Sequence, residues 1–69
     1  MKHQSVSSST IQSIAHDPST ETLEVKFNNG STYRYSDVPA SVHSDLMDSS
    51  SVGKFLNSHI KGQYSHEQV

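Results

Sequence analysis

The feature that most constrains this chain is the alternation Leu23-Glu24-Val25-Lys26-Phe27, followed at once by Asn28-Asn29-Gly30 and then Ser31-Thr32-Tyr33-Arg34-Tyr35. Apolar and charged residues at period 2 put one face in a core and the other in water, the pattern of a half-buried strand. Gly30 supplies a reversal, so the stretch is a β-hairpin whose register decides where both tyrosines point. A two-residue turn at Asn29-Gly30 would set Tyr33 opposite Lys26 and Tyr35 opposite Glu24, leaving a wet stacking platform that suggests nucleic acid. A three-residue loop, with Asn28-Asn29 in a type I turn and Gly30 left-handed in a G1 bulge, sets Tyr33 opposite Val25 and Tyr35 opposite Leu23. The second register is favoured, because so short a chain has few large apolar groups and needs both rings in its core. Both tyrosines are therefore expected to be largely buried.

A chain of 69 residues makes one small domain near the lower limit for folding on a single core. It has no cysteine, which excludes a disulfide framework and a thiolate metal site and fits a cytosolic location. No stretch approaches a membrane span or the apolar core of a signal peptide. The formal charge is −2 with five histidines uncounted, so any attraction for a phosphate backbone must be local. Serine is abundant but spread through caps, turns and wet faces rather than gathered in one tract.

Taken in order, residues 1–7 have little apolar content and read as a flexible tail, residues 8–66 as the domain, and residues 67–69 as a frayed end. The first strand puts Ile14 and His16 on one face, with His16 a neutral, partly buried histidine. Ile11 has the opposite parity, so a bulge between Ile11 and Ile14 is needed to bring both to the core. Asp17-Pro18-Ser19-Thr20 is a turn, with Asp17 capping local amides. Pro39 suits the first turn of a helix carrying Val42 and Leu46. Ser51 is an N-cap for a second helix whose Val52, Phe55, Leu56 and Ile60 form one buried stripe, ended by Gly62. Tyr64 folds back onto the core edge. The expected fold is α+β, a three-stranded antiparallel meander followed by two helices packed on one face of the sheet. Glu24 should pair with Arg34 on the other face.

These residues resemble the KTSC domain, a module of about this length found alone in bacterial and phage proteins and at the carboxyl end of some lysyl-tRNA synthetases. The resemblance covers Ser8 to Val69. It rests on Ser9 and Ile11, Asp17, the Leu23-Val25-Phe27 alternation, Gly30, Tyr33-x-Tyr35, Val38-Pro39 and the closing run Ser51-x-Gly53-x-Phe55-x-Asn57-x-x-Ile60-x-x-x-Tyr64. His16 departs from it, standing where the family's aromatic tyrosine is expected. The resemblance implies no enzymatic activity and a suggested role in binding RNA. Most of the motif reads as structural: Gly30, Tyr33, Tyr35, Pro39, Ser51, Gly53, Phe55, Asn57 and Tyr64.

No nucleophile-and-base signature or spaced carboxylate pair is present, so the chain is not expected to be an enzyme, and no cofactor or small-molecule substrate is expected. His59 and His66 could approach across Gly62, but solvated surface histidines are the plainer reading, and no metal site is assigned. The one positive feature for nucleic acid is the outer stripe of the second helix, where Lys54, Asn57, Ser58 and Lys61 fall at i, i+3, i+4 and i+7. Residues 49–66 hold no acidic residue, whereas residues 37–48 hold three and no Lys or Arg. A solvated helix face is the bland alternative, and Asn57 reads first as a hydrogen-bond partner holding the helix pair. The sequence thus points to a non-catalytic binding module, with RNA or single-stranded nucleic acid ahead of a protein as its partner.

Overall fold

The computed structural model describes residues 1–69. Five antiparallel strands lie side by side in chain order: β1 (Gln4–Ser5), β2 (Ile11–Asp17), β3 (Thr22–Phe27), β4 (Thr32–Tyr35) and β5 (His66–Gln68). Between β4 and β5 the chain forms α1 (Ala40–Asp48) and α2 (Val52–Phe55), and α2 runs on without a break into a π-helical turn over Leu56–Ile60. The architecture is α+β as expected, but the sheet has five strands rather than three. The added pair comes from the segments read as a tail and a frayed end. Each lends backbone groups to an otherwise open edge of the meander, β1 to β2 and β5 to β4.

The central hairpin adopts the three-residue loop. Leu23 pairs with Tyr35, Glu24 with Arg34 and Val25 with Tyr33. The Gly30 amide donates to the Phe27 carbonyl at 3.0 Å, and Gly30 itself has φ +93°, the left-handed turn position that glycine fills at no steric cost. The register of β2 against β3 shifts between Ile11 and Ser13, which is the required bulge, and Ile11 and Ile14 are both buried. Asp17 Oδ1 accepts from the amide and the hydroxyl of Ser19, and these bonds hold its carboxyl below the usual range.

One core joins the sheet to the helices: Ile11, Ile14, Leu23, Val25, Phe27 and Tyr35 pack with Val38, Leu46, Val52, Leu56 and Ile60. Phe55, Val42 and Tyr64 are partly buried against it. Pro39 is the N-cap of α1, one position ahead of the first helical turn. Ser51 caps α2, its hydroxyl accepting from the Lys54 amide at 3.3 Å. The helix then widens, with the Lys61 amide donating five residues back to the Leu56 carbonyl at 2.8 Å, and Gly62 leaves it at φ +80°.

His16 is half-buried on the helix side, as expected. Its Nε2–H donates to the Val38 carbonyl at 2.7 Å, and its ring stacks on that of His43 from α1 at 4.8 Å. Burial, with His16 adding to it, holds the His43 imidazole below its ordinary value. On the opposite face Arg34 Nε donates to Glu24 at 2.8 Å, the expected cross-strand pair. His3 joins them from the chain's start, with Nε2 at 2.6 Å from the other Glu24 oxygen and Nδ1 at 2.8 Å from the Ser13 hydroxyl. His3 and then Arg34 hold the Glu24 carboxyl below its usual range.

Candidate functional site

Tyr35 is 2 % exposed, but Tyr33 is only half-buried, which corrects the expectation for that ring. Tyr33 stands beside β5 at the end of the helix-side face, and its ring closes one side of a cleft of about 450 Å³. The floor is aromatic. Phe27 meets Tyr33 edge-on at 5.7 Å, and His66 from β5 lies 5.9 Å from Tyr33 and 5.5 Å from Tyr35. Lys61, just past the π turn, hangs its Nζ 5.4 Å from the centre of the Phe27 ring, a cation–π distance. Thr10, Asn29 and Ser31 complete the rim. Burial, with Tyr33 nearby, raises the Tyr35 phenol above its ordinary value, so it remains a neutral donor at physiological pH.

The proposed helix stripe does not survive as one surface. Lys54 and Asn57 line a second cleft of about 360 Å³, facing Ser7 to Thr10 across Ser51 and Gly53. Lys54 and Ser58 also border a shallower hollow with His59 and Phe55. Lys61 belongs to the aromatic cleft instead. The cause is the π turn and the end of the helix at Lys61, which carry that residue away from the position an α-helical count of seven assigns. Asn57 is exposed and its side chain makes no hydrogen bond, so the expected role in holding the helix pair is not realised. His59 and His66 line different clefts, His59 against Phe55 and His66 against the tyrosines.

Two of the separated groups meet again through Thr10, which lines both the aromatic cleft and the one at Lys54. Thr10 thus borders two clefts, one floored by aromatic rings and the other rich in hydroxyls. None of the three clefts on this side has a carboxylate in its lining. The Ser13-His3-Glu24 chain lies elsewhere, on the opposite face. Its residue types are those of a hydrolytic relay, but Ser13 is 8 % exposed and Glu24 is shared with Arg34, so the chain anchors the first strand to the sheet.

The sequence profile of the KTSC domain matches residues 7–64. This chain belongs to the KTSC domain family. The crystal structure of a KTSC domain protein from Yersinia pestis superposes with a TM-score of 0.93 at 39 % identity, covering 99 % of this chain and 96 % of that one. An uncharacterised protein of Stutzerimonas stutzeri is 38 % identical over 64 residues, 93 % of this chain and 90 % of its own length. A lysine–tRNA ligase of Nostoc sp. is 38 % identical over 61 residues, which are 88 % of this chain but only 11 % of the ligase. The KTSC domain is thus a whole small protein in one relative and about a tenth of a far larger one in another. In this chain Tyr35 packs the core and Tyr33 lines the aromatic cleft. No helix here is long and apolar enough to cross a membrane.

Proposed function

We propose that this domain is a non-catalytic module that binds single-stranded nucleic acid, RNA foremost, along the clefts beside the second helix. The observation that carries the reading is the charge of that surface. The chain holds seven acidic residues and a formal charge of −2. Yet the clefts beside the second helix are lined by Lys54, Lys61, His59 and His66 with no Asp or Glu. A phosphate backbone meets attraction there and repulsion from the molecule as a whole, which gives weak, local and salt-sensitive binding. The half-buried Tyr33 and Phe55 rings, in the clefts that hold the lysines, suit unpaired bases, whose faces are hidden in a duplex. A relative that carries this domain is a ligase named for its action on a tRNA.

The test is fluorescence anisotropy at low salt with a short labelled RNA strand, the matching DNA strand and the RNA duplex. Both single strands should bind, the duplex more weakly, and Lys54→Gln with Lys61→Gln should weaken single-strand binding by roughly an order of magnitude. Both lysines are exposed and outside the core, so the double variant should fold. Absence of binding, or indifference to the double substitution, would overturn the reading in favour of a protein partner.

A further inference from the structure

The most deeply buried ring of the hairpin carries a polar group that the core does not use. Tyr35 is 2 % exposed, yet its hydroxyl makes no hydrogen bond to any group of the chain. No side-chain nitrogen or oxygen is both sealed from solvent and without a partner, so the Tyr35 hydroxyl opens on the aromatic cleft that its residue lines. Phenylalanine would fill the same core position with no polar group to accommodate.

The other polar groups of this cleft are biased toward donating. Asn29 Oδ1 accepts from the Ser31 amide at 2.9 Å, while both N–H bonds of the Asn29 side chain stay free. Lys61 has no ion-pair partner, and an ammonium can only donate. No carboxylate lines the cleft. Around these donors the rings stand at steep angles, Phe27 to Tyr33 at 85° and Tyr33 to His66 at 52°. Crossed rings offer no surface for stacking; they admit a planar group by its edge and leave that edge to be read by hydrogen bonds. The volume, about 450 Å³, lies within the range of small-ligand sites.

The edges of unpaired bases divide by the same chemistry. Uracil and guanine present a carbonyl oxygen where cytosine and adenine present an amino group. The Tyr35 hydroxyl could turn to accept from an amino group, but the Asn29 N–H bonds and the Lys61 ammonium cannot, and donors left facing donors lose affinity.

We propose that the aromatic cleft is a base-reading pocket that prefers keto bases, uracil and guanine, over amino bases, with the Tyr35 hydroxyl donating to the carbonyl oxygen. This rests on the nucleic-acid reading above for the class of ligand, and adds which bases the strand must carry and the residue that reads them.

The experiment is fluorescence anisotropy with labelled oligouridine and oligocytidine of equal length, whose phosphate charge is the same and whose bases differ by an oxygen or an amino group at the same ring position. The wild type should bind oligouridine about tenfold more tightly. Tyr35→Phe keeps the ring and removes a hydroxyl that supports nothing in the core, so its urea midpoint should hold. In that variant the ratio of affinities should fall toward one while both strands still bind. Amide chemical-shift titrations of the wild type give a second reading that needs no variant: uridine should move Asn29, Tyr35 and Lys61, and cytidine should move them far less. Equal affinity of the wild type for the two strands, a preference for oligocytidine, a preference that survives Tyr35→Phe, or equal responses to the two nucleosides would overturn the proposal. In each of these cases salt-sensitive binding of the strands would leave the broader function standing; no binding of either strand would remove both.

Discussion

Replacing Tyr35 and Tyr33 by alanine, one at a time, probes the hairpin register directly, because the two rings are alike and two residues apart but differ in burial. Tyr35 is 2 % exposed and opposes Leu23, which is fully buried. Truncating a core aromatic costs ~3–5 kcal/mol. A chain of this size holds only about 3–10 kcal/mol in all, at roughly 0.05–0.15 kcal/mol per residue. Tyr35→Ala should therefore be marginally folded or unfolded at room temperature. Tyr33 opposes the equally buried Val25, but its ring is half-exposed in the aromatic cleft, and about half of its apolar surface gains nothing from folding. Its loss should cost ~1–2 kcal/mol, lowering Tm by ~5–15 °C at 4–8 °C per kcal/mol. Urea denaturation of both variants gives the comparison, with an unchanged slope showing that the unfolded states are alike. A larger loss for Tyr33→Ala than for Tyr35→Ala would refute both the assignment of the core ring and the account of the aromatic cleft.

Gly30→Ala should destabilise by ~1–2 kcal/mol through backbone strain at φ +93° alone, since an added Cβ meets nothing within 4 Å; thermal melts giving no loss would refute the left-handed loop. His43 has a folded pKa depressed below its ordinary 6.5 by burial and by His16. Its contribution is therefore present above 6.5 and lost as pH falls through the lower folded value, and His43→Phe should flatten that part of the urea-midpoint profile. Glu24 is likewise depressed below 4.5, by His3 and Arg34, so its contribution is complete above 4.5 and lost as pH falls through the folded value. Glu24→Gln should reduce the acid-side loss, and an unchanged profile would show that other carboxylates control it.

The fold was legible where a local rule and the global pattern agreed. The Leu23-Val25-Phe27 alternation with Gly30 gave the register, the parity clash between Ile11 and Ile14 gave the bulge, and Ser51 gave the helix start. The edge strands were not legible, because Gln4–Ser5 and His66–Gln68 are short and polar and carry no alternation; their warrant is the open backbone of the neighbouring strand, a tertiary fact. The π turn was equally silent, since Leu56 and Ile60 are four apart in either helix type. That silence displaced the candidate site. Counting at 3.6 residues per turn joined Lys61 to Lys54, whereas the wider turn sends Lys61 to Phe27 and Tyr33. Tyr33 was expected to be buried because its parity is inward, but parity assigns a face, and burial also requires a helix over that end of the face. The serine-rich start of the domain, read as caps and solvent faces, gained meaning only when the fold set it against Gly53 and Lys54.

The central claim, local capture of a phosphate backbone by an otherwise acidic domain, is tested most directly by the salt dependence of single-strand RNA binding. With Lys54 and Lys61 each neutralising one phosphate, the slope of log K against log salt should be about −1.4, at roughly −0.7 per contact. In the Lys54→Gln, Lys61→Gln double variant the slope should approach zero while the urea midpoint stays unchanged. A wild-type slope near zero, or one of the expected size that persists in the double variant, would contradict the account.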